Sequence, residues 1–347
     1  MARAFNPLDT TRIARWQARG IALDRASAAL GAPAPVRLAL ASWFGWPGAA
    51  GVTLVADRGA PPLADGFVQL RRPRGGPEAV LTYAAPDLHG GHGAALGWLR
   101  LLGDASVALG RAGVDRILCA HDHDDGLVWQ VLHQAGFAPY GRDVMMRVPA
   151  ADVPPAAPAG AEHALQTVTL RPEHRDRVAA LVAEAQLEGE RAFGAAWPRW
   201  LTVPAAAPGC QRLRVLLDDR GRVVGGLRFV VGRGALWLGL VRAPEADADA
   251  VAAAALAEAS RLRPGWTVWT AVPMAEPALA AAWRAAGGEA EVERRLAARP
   301  TGRQRVAPRW RAARRSAPHA TSNPITQARP GASRARVGVD ALSGERT

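Results

Sequence analysis

Leu127–Phe137 reads LVWQVLHQAGF, and Arg142–Val148 follows it as RDVMMRV. The first stretch is a short amphipathic helix closed by Gly136, the residue type that ends helices in a left-handed turn. The second is a strand. The short apolar run Arg116–Ala120 (RILCA) lies just ahead of the helix and reads as a buried strand. Upstream, Ala94–Ala112 carries Trp98, Leu102, Ala105 and Leu109 at helical spacing. Before that, Gly51–Asp57, Gly66–Arg71 and Ala79–Ala85 are strands, the last two separated by the Pro73–Gly76 turn. Asp9 or Thr10 opens a helix through about Arg19, and Asp24–Leu30 reads as a second short one.

The same order returns between residues 163 and 298. Ala164–Leu170 is a strand and Arg175–Ala185 a helix. Leu213–Leu217 and Val223–Val231 form a hairpin across Asp218–Arg222. Then come a strand at Ala235–Val241, a helix at Asp247–Leu262 and a strand at Thr267–Val272. A helix at Pro277–Ala286 and a strand at Glu291–Leu296 close the series. Landmarks align the halves: Ala85-Pro86 with Ala243-Pro244, and Ala135-Gly136 with Ala286-Gly287. An internal duplication of an α+β domain is the expectation. Residues 1–148 and 163–298 are the repeats, the Pro/Ala-rich stretch 149–162 is a linker, and 299–347 is a disordered arginine-rich tail.

Composition narrows the function classes. Of 347 residues, 49% are hydrophobic and 21% charged, enough for a sizeable core. No apolar run approaches the ~20 residues that cross a bilayer, so no membrane partner is expected. Met1–Leu30 has no signal-peptide apolar stretch. Cys119 and Cys210 are too few for a disulfide framework or a zinc site. A cytoplasmic protein is expected. Every basic residue is arginine, and 299–347 holds +9 of the +12 net charge. Nucleic acid is therefore a partner only through that tail, whose plainer reading is a solvated extension.

The order of elements resembles the GNAT superfamily of acyl-CoA-dependent N-acetyltransferases, in its tandem two-domain form. LVWQVLHQAGF, Tyr140 and RDVMMRV look like its last helix, exit and strand, and AVLTYAAP (79–86) like the strand beside the pantetheine arm. The resemblance implies acetyl-CoA as co-substrate, a small-molecule or peptide amine acceptor, and acyl transfer in the first half. The cofactor-binding residues it implies are Thr82, Tyr83, Ala84, Ala85, Leu88, Gly91 and Gly93. Leu88-His89-Gly90-Gly91-His92-Gly93 matches the family's phosphate loop in two glycines, with Leu88 where the family has Arg or Gln. A flexible glycine turn is the alternative. The second half has Pro244-Glu245-Ala246-Asp247-Ala248-Asp249 there, whose acids suit a helix start but repel pyrophosphate.

The family's thiolate-protonating tyrosine is replaced by Leu132 and, in the second half, Trp283. Tyr83 is a weak substitute acid, with a half-buried core tyrosine as the alternative. His121 and His123 follow the RILCA strand and are candidates for deprotonating an amine near neutral pH. With His89 and His92 they form a four-histidine set. The alternatives are a polar loop in which Asp124 or Asp125 caps the next helix, and metal binding, which is not expected. A second reading of the whole chain is a catalytically inactive GNAT-like scaffold or ligand-binding protein.

Overall fold

A computed structural model describes residues 2–31, 34–44, 51–56, 65–72, 77–90, 92–153, 165–185 and 211–301. Most of the linker, from 154 to 162, the Pro73–Gly76 turn and the tail from 302 onward lie outside the described residues, as do Trp197 and Trp200, which the sequence reads as core with a pocket between the halves as the alternative. The first half runs β1 (Ala2–Ala4), α1 (Thr10–Gln17), β2 (Ile21–Ala22), α2 (Arg25–Ala29), α3 (Pro35–Trp43), β3 (Gly51–Ala56), β4 (Phe67–Arg71) and β5 (Glu78–Ala85). It continues with α4 (His92–Arg111), β6 (Arg116–Asp122), α5 (Gly126–Gln134) and β7 (Ala138–Val148). The second half runs β8 (Gln166–Thr169), α6 (Arg175–Glu184), β9 (Gln211–Leu217), β10 (Val223–Val231) and β11 (Ala235–Arg242). Then come α7 (Ala248–Leu262), β12 (Thr267–Pro273), α8 (Pro277–Ala285) and β13 (Glu289–Pro300).

All these strands belong to one mixed sheet in the order β1-β3-β4-β5-β6-β13-β7-β12-β11-β10-β9-β8, with β2 attached to β5. Trp98, Leu102 and Leu109 of α4 pack on the first half's strands. Leu256 of α7 and Trp283 of α8 do the same in the second. Helices on strands give each half its own core, because each element buries one apolar face.

The two closing strands are exchanged. β13 lies between β6 and β7, antiparallel to both. β7 in turn pairs with β12 of the second half. Gly136 and Gly287, both in the left-handed conformation that glycine adopts without steric cost, release the two strands from α5 and α8. Counting seven residues on from each glycine reaches Asp143 and Arg294, which are cross-strand partners. Arg294 Nε and Nη2 donate to the two oxygens of Asp143 at 2.8 Å each, and both side chains are buried. Burial works against the Arg294 charge, but Asp143, Asp24 and Tyr140 together hold its pKa above the ordinary value. The next equivalent pair, Arg142 and Glu293, bonds at 3.2 Å on the exposed side.

Three features depart from the sequence reading. The helix Pro35–Trp43 has no counterpart in it: the helix starts on a proline, which favours a first helical position. It covers the outer part of the first sheet, burying Ala39 beside Phe5 and Ile13. The second is β2. The third is the end of β13, which runs past 298 because Arg299 and Pro300 still pair with Ile117 and Arg116. No described helix is long and apolar enough to cross a membrane.

Removing one partner of the central pair strands a buried charge. Asp143→Ala should lower unfolding free energy by about 3–5 kcal/mol in urea titration, and Asp143→Leu with Arg294→Met should recover most of it. A chain cut by a protease site placed between 154 and 164 should still elute as one species, because β13 is enclosed by first-half strands.

Candidate functional site

β5 and β6 start as a tight parallel pair. Glu78, Ala79 and Val80 face Arg116, Ile117 and Leu118. A buried Arg116–Glu78 ion pair at 2.6 Å, with the amides of Asp115 and Arg116 on the Pro77 carbonyl, fixes this end. Beyond Val80 and Leu118 the ladder stops, although β5 runs on to Ala85 and β6 to Asp122. On its other side β5 pairs with β4, and the register slips at Thr82, which has no partner of its own. The slip is a bulge, a device that re-aims a strand next to a site.

The gap is occupied by the chain itself. Ile21 and Ala22 pair with Ala84 and Tyr83 on the edge of β5 that faces β6. The Thr82 carbonyl accepts from the amides of Leu23, at 3.0 Å, and Asp24, at 3.2 Å. The Asp87 amide donates to Arg19. Residues 19–24 therefore form a strap over Thr82, Tyr83 and Ala84. Gly20 permits it: a Cβ there would overlap the Tyr83 ring. Arg25 then bonds Asp122 at the end of β6.

The sequence-predicted residues fall in three groups. Thr82, Tyr83 and Ala84 lie under the strap, and Ala85 is buried opposite Phe67. The Tyr83 hydroxyl donates to the Gln17 carbonyl, its ring stacks on Phe67 at 5.6 Å, and burial raises its pKa. Leu88 is buried in the first core, Gly93 is in the first turn of α4, and Gly91 lies outside the described residues. Among the histidines, His89 and His121 line one cavity. His123 turns toward β13, with Nδ1 3.2 Å from Arg295 Nη2 and Nε2 3.9 Å from Glu293. His92 begins α4.

His121 is the most distinctive of them. It is 2% exposed and stacks on Trp129 at 5.7 Å with rings 10° apart. Its Nδ1 is 2.8 Å from the Asp122 carbonyl. A carbonyl only accepts, so the ring proton sits on Nδ1 and Nε2 carries a lone pair. Nε2 is buried with no partner. Burial pushes the pKa below the ordinary 6.5, helped by Arg295 and opposed by the Asp122 carbonyl, Asp125 and Asp122. The imidazole is neutral at pH 7. The cavity it lines, about 210 Å³, also has Leu23, Arg25, Asp87 and Asp125 in its wall. Asp125 caps α5 through the Val128 amide at 3.0 Å. Among the described residues no three His, Cys, Asp or Glu side chains are grouped to hold a metal ion.

The second half repeats the divergence. β11 and β12 pair in parallel from Ala235/Thr267 to Leu238/Thr270 and no further. Arg242 bridges to Glu276 at 3.0 Å and donates to the carbonyls of Ala243, Pro244 and Ala246. Asp247 caps α7 through the Ala250 amide at 2.7 Å. Leu132 and Trp283, where the family carries its tyrosine, are both fully buried.

A second cavity, about 120 Å³, spans the halves. Its wall includes Asp24, Cys119, Tyr140, Asp143, Trp237 and Arg294, and Leu23 belongs to both cavities. Sequence reasoning missed this cluster. The signal was there in the equal spacing of Asp143 and Arg294 from their exit glycines.

Two diverging parallel pairs, each followed by a helix, are thus set in one mixed sheet. Among solved structures, the tandem GNAT protein from the clavulanic acid biosynthesis pathway, solved without acetyl-CoA, matches with a TM-score of 0.51. It is 17% identical, over 87% of this chain and 98% of that one. A GCN5-related N-acetyltransferase from Sphaerobacter thermophilus aligns over 87% of this chain and 95% of its own, at 17% identity and a TM-score of 0.49. No protein-family model and no curated protein matches the chain. The chain has the tandem GNAT fold.

A histidine whose native pKa is depressed stabilises the fold only while it is neutral in both states. Below about pH 6.5 the unfolded histidine takes up a proton that the native one refuses, so stability falls as pH falls. His121→Phe should flatten the decline in urea midpoint between pH 7 and pH 5 relative to the parent chain.

Proposed function

We propose that the chain transfers an acyl group from a CoA thioester, acetyl-CoA in the simplest case, to an amine at the β5/β6 divergence. The observation that carries this reading is the buried, uncharged His121, which lines the cavity at the end of β6 and whose Nε2 has no hydrogen-bond partner. In the reaction the amine nitrogen bonds the acyl carbon, the carbon–sulfur bond breaks, and the thiol leaves. A neutral imidazole with a free lone pair is ready to take the amine's proton. On this reading residues 1–148 bind the acyl donor, and 163–298 are the partner half.

Binding in this slot requires the strap to leave β5. Its backbone bonds are worth about 0.5–1.5 kcal/mol each, and amides of an incoming arm replace them. The unrecovered cost is Leu23, 2% exposed, whose burial contributes about 1.5–3 kcal/mol. The strap therefore acts as a competitor.

A second reading is a ligand-binding protein without turnover. The occupied β5 edge favours it, as do Leu132 and Trp283 in place of a hydroxyl and the carboxylates of Asp87 and Asp125 near the phosphate loop.

Calorimetric titration of acetyl-CoA into the full chain separates the two. Leu23→Gly should tighten binding by about tenfold or more, and thiol release with an amine panel should fall at least tenfold in His121→Phe. No binding by either the parent chain or Leu23→Gly overturns the acyl-transfer reading and leaves the second.

A further inference from the structure

We infer that the cavity between the halves binds a small primary amine that also carries an oxygen acceptor, an amino alcohol or amino acid of about six non-hydrogen atoms. The inference concerns a bound molecule, held while residues 19–24 lie on β5, and does not rest on the reading above.

Size sets the first limit. A cavity near 150 Å³ accommodates benzene, so about 120 Å³ admits a body of that order or slightly smaller. Both halves close around it: Leu118, Cys119 and Ala120 come from β6, and Leu238, Gly239 and Leu240 from β11. Mostly apolar walls with a few placed polar groups are the composition of a ligand site.

The polar groups select the ligand. A carboxylate offers about four lone-pair positions. Asp143 gives two of them to Arg294. Asp24 accepts from the Ser27 amide, the Ser27 hydroxyl and Arg71. About three acceptor positions are left over on the two cavity carboxylates. An ammonium group brings three donors, all directed to acceptors of this kind. Trp237 supplies the opposite need. It is 3% exposed, and its indole N–H is buried with no partner. An indole only donates, so the missing partner is an acceptor oxygen. Leaving such a group unmade costs the fold something that a ligand oxygen recovers. The charged groups are coupled: Arg294 is influenced by Asp143, Asp24 and Tyr140 together.

The test is calorimetric titration of the full chain, without acyl donor, with 4-aminobutan-1-ol, 4-aminobutanoate and pentylamine. The three are matched in length, and only pentylamine lacks oxygen. One of the two oxygen-bearing amines should bind about tenfold more tightly than pentylamine, and which one leads tells alcohol from acid. Trp237→Phe keeps a ring in place and should erase that preference. Asp24→Asn retains a good helix cap for α2 and should weaken all three amines about tenfold. Absence of binding by all three, or a preference for oxygen that persists in Trp237→Phe, overturns the inference. Neither result bears on acetyl-CoA binding, which the Leu23→Gly comparison reads separately.

Discussion

The pairing of β13 with β7 is the constraint from which the rest follows. It places the last strand of each repeat inside the sheet of the other and centres the join on Arg294 and Asp143, equivalent positions of the two repeats. The desolvation of two buried charges is tolerable only in such a bidentate geometry. The neighbouring equivalents, Arg142 and Glu293, are again opposite in sign. Two identical repeats would have placed like charge against like at both positions. The charges thus distinguish the first repeat from the second, and they bring Trp237 and Cys119, from different halves, to the wall of one cavity.

The strap is the second organising element. It converts the open edge of β5 into a paired one, so the divergence that the fold provides is filled by backbone from residues 19–24. Leu23 is its apolar anchor and the wall common to the two cavities. The mouth on the His121 side and the chamber between the halves are thus on either side of one leucine.

Much of this was legible in the sequence, for physical reasons that particular residues illustrate. Gly136 and Gly287 end helices because the turn needs a positive φ, and both do so here. The Asp218–Arg222 turn is held by Asp218 accepting from the amides of Arg220 and Arg222. Those are local effects. The partners of β7 and β13 lie more than a hundred residues away, and a strand's apolar pattern does not name its neighbour. The strap was invisible for a similar reason: two paired residues leave no periodicity to find. His121 and His123 are indistinguishable by type and adjacent in chain. What separates them is the end of β6 at Asp122: His121 is within the strand and packs against Trp129, whereas His123 follows it in the turn, beside Glu293.

The strand exchange has a consequence for synthesis. The place between β6 and β7 stays vacant until residues 289–300 leave the ribosome, about 140 residues after β7 is complete. At roughly 5–20 residues per second that is on the order of ten seconds or more. During that interval β6 and β7 both present unpaired backbone, the kind of surface that recruits another nascent chain or a chaperone.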